Sequence, residues 1–154
     1  MILFILILLS STQLGICVNP YVIPNIRVNW HKAHEFCKYN GMELASVTDW
    51  ATHKKLTEFV AQELNCSTWC AVWIGANDLG DEGSFTWVGT GRRVVFDNWK
   101  PNQPSNSNGD QEEHCVEILY HPRGGFNWQW NDGVCKHEKY FVCEKVYNCE
   151  IQEF

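Results

Sequence analysis

The pattern of apolar and polar positions divides the chain into three stretches of different period. Residues 2–9 are an unbroken apolar run, ILFILILL, followed by Ser10, Ser11, Thr12 and then Gly15 and Cys17 at the spacing of a signal-peptidase site. The run is shorter than the roughly 20 apolar residues that span a bilayer, and no second one follows it. The expectation is a signal peptide over residues 1–17, cleaved near Cys17. The mature domain would then occupy 18–154, with its core at 21–145 and a short tail at 146–154, secreted and with no insertion into a membrane. From Asn29 the period turns helical. Asn29 is placed to cap a helix on which Trp30, Ala33, His34 and Cys37 share one face, and Gly41 ends it. Thr48 is expected to cap a second helix, with Leu56, Phe59, Val60 and Leu64 turned inward and Lys54, Lys55, Glu58 and Glu63 outward. Beyond Cys70 the period shortens to that of strands, at 72–74, 85–88, 94–96, 115–120 and 140–146. Helices followed by strands predict a single α+β domain.

Composition narrows the class. Aromatic residues make up 14% of the chain, including eight Trp, which is ample for one core. The net charge of −6 carries no cluster of Lys and Arg. That argues against a nucleic acid partner, because a phosphate backbone demands such clusters. Eight cysteines behind a secretory signal read as a disulfide framework. If Cys17 leaves with the signal, seven remain and one is left over. Cys66 and Cys70 have no His or second Cys pair at finger-like spacing, so a local bridge or tether is expected there rather than zinc. Asn65-Cys66-Ser67 is formally a glycosylation sequon.

Residues 100–113, KPNQPSNSNGDQEE, have no hydrophobic period and read as a long loop. Five amides and three carboxylates lie within them. A long ordered loop in a compact domain is usually functional, and these side chains suit a hard cation that takes six to eight oxygens. Asn131 and Asp132 add an amide and a carboxylate just ahead of Cys135.

Several segments follow in a fixed order: WIG at 73–75, QPS at 103–105, an acid two residues before Cys115, WND at 130–132 and FVCE at 141–144. Together with Trp30, Ala33, Cys37, Gly41 and Leu44, they resemble a C-type lectin domain over residues 21–144. The resemblance implies that family's fold, with two helices, short antiparallel sheets and a long ligand loop. It also implies the bridges Cys37–Cys143 and Cys115–Cys135, which loop-closure entropy values at about 4.7 and 3 kcal/mol. The cofactor it implies is Ca2+, held by Gln103, Ser105, Glu113, Asn131 and Asp132. The same side chains would hydrogen-bond the hydroxyls of a glycan partner, and the Gln103–Pro104 bond would be cis. Gln103 resembles a galactose-type triplet more than a mannose-type one, although no aromatic follows in the loop and Trp128 reads as core. Ser105 departs from the pattern, since Asn or Asp is usual there and a hydroxyl reaches less far. Glu112 is an alternative to Glu113, which the spacing to Cys115 favours. A second, auxiliary calcium site in some relatives matches Asp78 and Glu82, but its other positions hold Asn106 and His114, neither of them an acid. A solvated acidic turn is the expectation there.

No nucleophile, oxyanion device or paired catalytic carboxylates stand out around His114, His121 or His137, so an enzyme is not expected. Two readings remain: a calcium-dependent lectin recognising microbial or host glycans, as in innate immunity, and a calcium-independent protein-binding module with a degraded sugar site. Cys149 is expected to pair with Cys66 or Cys70, or to link two chains into an oligomer that gains avidity.

Overall fold

The computed structural model describes residues 16–17, 19–146 and 149–150. Most of the expected signal peptide and the end of the tail lie outside the described residues. In chain order the elements are β1 (Ile16–Cys17), β2 (Tyr21–Val22), α1 (Trp30–Tyr39), β3 (Met42–Leu44), α2 (Trp50–Glu63), β4 (Cys70–Asn77) and β5 (Thr86–Trp87). After the long loop come β6 (Cys115–His121), β7 (Phe126–Gly133), β8 (Tyr140–Phe141), β9 (Cys143–Lys145) and β10 (Cys149–Glu150). The fold is α+β, as expected.

The first helix forms where its pattern places it. The Asn29 side chain accepts from Lys32 N at 2.9 Å, Trp30, Ala33 and Cys37 are buried, and the chain turns out at Gly41 with φ +69°. The second helix starts one residue later than expected. Asp49, not Thr48, is the cap, its carboxylate accepting from Thr52 N at 2.7 Å. A carboxylate also suits the positive end of the helix dipole. Leu64 lies at the C-terminal cap, just outside the helix.

The main sheet has the order β5-β4-β6-β7, with β8 alongside β4 in parallel. A smaller sheet, β2-β9-β3, joins the segment before α1 to the end of the core. Three strand expectations change. Residues 94–96 form no strand, since Val95 is 89% exposed and pairing there amounts to a bridge between Thr86 and Arg93. The run 140–146 breaks at Val142, whose N–H bonds Trp73 O, so β8 serves one sheet and β9 the other. Strands also form where none was expected, among them β2, β3 and β7. In β7 Phe126, Trp128 and Trp130 alternate with polar residues, and a register shift opposite Leu119 and Tyr120 leaves Trp128 out of the pairing at φ +57°.

The core gathers on Trp130, which is fully buried and meets the rings of Trp87, Phe96 and Trp99 edge-on. Such contacts add to the area each indole buries. Gly75 of the WIG segment passes so close to β3 that a Cβ would stand 2.8 Å from Leu44 O, which excludes a side chain. Disulfides join Cys37 to Cys143 and Cys115 to Cys135. A third joins Cys66 to Cys70, tying the end of α2 to β4. That corrects the expectation that Cys149 pairs with either of them. The backbone of β1 and β10 instead sets Cys17 across from Cys149. Among the described residues no helix is long and apolar enough to cross a membrane.

Candidate functional site

The site is assembled where the β6–β7 hairpin meets the long loop. Pairing of Cys115 with Gly133, Val116 with Asp132 and Glu117 with Asn131 sets the two strands, and the Cys115–Cys135 bridge closes their ends. The loop is pinned to the same strand by its own backbone: Trp130 N bonds Asn98 O at 2.8 Å and Lys100 N bonds Trp130 O at 3.1 Å. The Gln103–Pro104 peptide is cis.

From that footing the loop folds over Asp132, which is fully buried. Its Oδ2 accepts from Ser105 N at 2.8 Å and Asn106 N at 2.6 Å. Asn106 accepts from Glu113 N at 2.9 Å, and Ser105 Oγ donates to Glu113 Oε2 at 3.3 Å. Ser105, Asn106, Glu113 and Asp132 are thereby one hydrogen-bonded cluster. Glu113 is buried, whereas Glu112 is exposed and lies against His114. Gln103 is half-buried two residues ahead of Ser105. Asn131 stands beside the cluster, its amide donating to the Asp132 carbonyl and to Glu117 Oε1. Glu117 is buried and held by Lys139 Nζ at 2.8 Å, which also lies over the Trp73 ring.

Two features of this cluster favour a hard cation. Asp132 Oδ1 and Gln103 Oε1 are buried oxygens without a hydrogen-bond partner, a costly state that a cation relieves. Burial, and then the negative charge of Asp132, push the Glu113 carboxyl above its ordinary range. The donor set, two carboxylates (Glu113, Asp132) with two amides (Gln103, Asn131) and a hydroxyl (Ser105), offers oxygen throughout and fits calcium. Trp128 is half-buried and stacked on Tyr120, and it supplies no stacking platform within the loop.

Asp78, Glu82 and His114 form a second group. The His114 Nδ1 lies 3.1 Å from Asp78 Oδ1 and 3.4 Å from Glu82 Oε2. Burial opposes charge on this imidazole, but hydrogen bonds to Glu112 and Asp78 hold its pKa above the ordinary value. This grouping differs from the solvated acidic turn that was expected, because His114 turns back onto Asp78. The acids of ANDLGDEG were noted in the sequence; the part His114 plays was missed.

Comparison with known proteins places the fold. A model of the lectin C-type domain matches residues 26–145. Salivary C-type lectin 1 of Aedes albopictus is 41% identical over 132 residues, covering 84% of each chain. Among solved structures, the mouse scavenger receptor C-type lectin carbohydrate-recognition domain superposes with a TM-score of 0.69 at 24% identity, covering 85% of this chain and 94% of that one. The trimeric Kupffer cell C-type lectin receptor Clec4f superposes at 0.65 with 29% identity, covering 86% and 83%. The module defined by this fold is a disulfide-stapled C-type lectin domain rather than an enzyme. The chain belongs to the C-type lectin domain family.

Proposed function

We propose that this chain is a secreted lectin that binds glycans through calcium, with Gln103, Ser105, Glu113, Asn131 and Asp132 as the shared metal and sugar site. The observation that carries this reading is the pair of unpartnered buried oxygens, Asp132 Oδ1 and Gln103 Oε1, beside the buried Glu113 carboxyl. When bound, calcium supplies open coordination positions for two neighbouring sugar hydroxyls. The chain's own part is to orient those hydroxyls with the amides of Gln103 and Asn131 and the carboxylates of Glu113 and Asp132. The Gln103-Pro104-Ser105 triplet favours galactose-type over mannose-type hydroxyls. The apolar run at 2–9 with Gly15 and Cys17 supports secretion with cleavage near Cys17, and recognition of microbial or host glycans follows as the role. One such site binds weakly, so an oligomer of the chain serves avidity.

Ser105 favours a second reading, a protein-binding module that needs no calcium, because its short hydroxyl is already engaged by Glu113. Galactose and mannose resins loaded with calcium and then washed with chelator separate the two. Retention on galactose and release by chelator are expected. Retention indifferent to chelator overturns the calcium reading, and passage through both resins with calcium present favours the second.

A further inference from the structure

We propose that Asp78, Glu82 and His114 form a zinc-type transition-metal site, separate from the calcium and sugar cluster and chemically unlike it. Three observations converge on it.

The first is spacing. The ligand atoms of these side chains lie within 4.8 Å of one another, and the His114 Nδ1 stands 3.1 and 3.4 Å from its two carboxylate oxygens. Ligands about 2.0–2.1 Å from a tetrahedral zinc stand about 3.3 Å apart, so His114 already stands at ligand spacing from each acid, and the exposed Glu82 side chain is free to close on Asp78 around an ion. The second is donor type. Calcium takes oxygen ligands, whereas an imidazole nitrogen with carboxylates suits zinc and its neighbours.

The third is the outer shell. Metal-bound histidines hand their other ring N–H to a carboxylate, and His114 Nε2 lies 3.2 Å from Glu112 Oε2. Asp78 is prepared in the same way. Its side chain is buried, its Oδ2 accepts from Gly83 N at 2.8 Å, and its backbone N–H bonds His114 O at 3.1 Å. One oxygen is thus spoken for, and Oδ1 is left facing the imidazole. A cleft lined by His31, Leu79, Asp110, Glu112 and Lys136 opens onto His114, giving access for the ion and room for a water as its fourth ligand.

The test is a calorimetric titration of zinc alone into the full secreted chain, freed of metal and without sugar or calcium. Failure of the lectin reading therefore leaves its outcome untouched. One equivalent of zinc is expected to bind. His114→Asn and Glu82→Gln should each lower the affinity at least tenfold, and Glu112→Gln should lower it by roughly ten- to 100-fold through the outer shell. Glu82 is largely exposed, so its variant keeps the proposal testable if His114→Asn misfolds. Cobalt in place of zinc should give the visible absorption of a tetrahedral nitrogen and oxygen site, lost in Glu82→Gln. The absence of saturable zinc binding overturns the proposal. So does zinc binding that neither His114→Asn nor Glu82→Gln weakens, which would place the ion on other histidines. Calcium displacing zinc at equal concentration overturns it as well.

Discussion

Glu113 and His114 are consecutive residues, yet they serve different clusters. Glu113 turns inward to the loop around Asp132, and His114 lies against Asp78. Both clusters use one device: a buried aspartate whose Oδ2 is taken by backbone N–H groups, from Ser105 and Asn106 in one case and Gly83 in the other. In each, Oδ1 is left free of the backbone: that of Asp132 has no hydrogen-bond partner, and that of Asp78 faces the imidazole. The clusters differ in what surrounds that oxygen. The first has only oxygen donors around a fully buried Asp132, while the second has an imidazole and the exposed Glu82. A stretch that reads as one acidic loop is therefore split, residue by residue at the entry to β6, into two environments that favour different metals.

The strongest way to break the comparison is to remove what the clusters share. Cys115 follows both Glu113 and His114, and its bridge to Cys135 closes a separation of 20 residues. Cys115→Ala with Cys135→Ala is expected to lower the unfolding free energy by about 3 kcal/mol in urea denaturation. Calcium and zinc affinities should fall together. A loss confined to one metal would show that the clusters are held independently.

A smaller change sharpens the difference. Ser105→Asp adds a longer, charged oxygen donor to the first cluster only. Calcium affinity should rise about tenfold, or about 1.4 kcal/mol, while zinc affinity stays as it was. Calorimetry with each metal checks this, and an unchanged calcium affinity would take residue 105 off the metal.

What could be read from the sequence follows the same division. The helices and the two long-range disulfides were legible because caps, i, i+3, i+4 spacing and family motifs are local signals that tertiary packing reinforces. The strand β7 did carry a period-2 signal, Phe126, Trp128 and Trp130 alternating with Asn127, Gln129 and Asn131, which the weight given to WND as a ligand motif left unused. Only the register shift at Trp128 is invisible before folding. Ser105, Glu113 and Asp132 could be named from the family's motifs, whereas Asn106, which counted toward the auxiliary site, bonds to Glu113 and Asp132 instead. The way Asp132 is fastened by backbone N–H groups was not legible, since backbone partners leave no trace in residue type. In the second cluster, His114 counted as a missing oxygen donor. Its nitrogen gains meaning only once the fold sets it beside Asp78. The parity of the cysteines likewise depended on Cys17, which the backbone places opposite Cys149.

The smallest expected effect concerns the support under the first cluster. His53 is buried beneath Trp130, whose indole N–H donates to its Nδ1 at 3.4 Å, and the Asn98 amide faces its Nε2 at 3.2 Å. Burial pushes its pKa below the ordinary 6.5, and an imidazolium there would face N–H groups on both sides. A base with a lowered folded pKa binds its proton more readily in the unfolded chain. Between the lowered value and 6.5, stability therefore rises with pH, and it is lost as pH falls below 6.5. The urea midpoint should drop on acidification through that window, and His53→Gln should flatten the slope. Because Trp130 directly precedes Asn131 and Asp132, acidification should also loosen the loop cluster before it disturbs the fold elsewhere. An equal slope in His53→Gln would move the titration to another histidine and leave the first cluster's footing independent of pH.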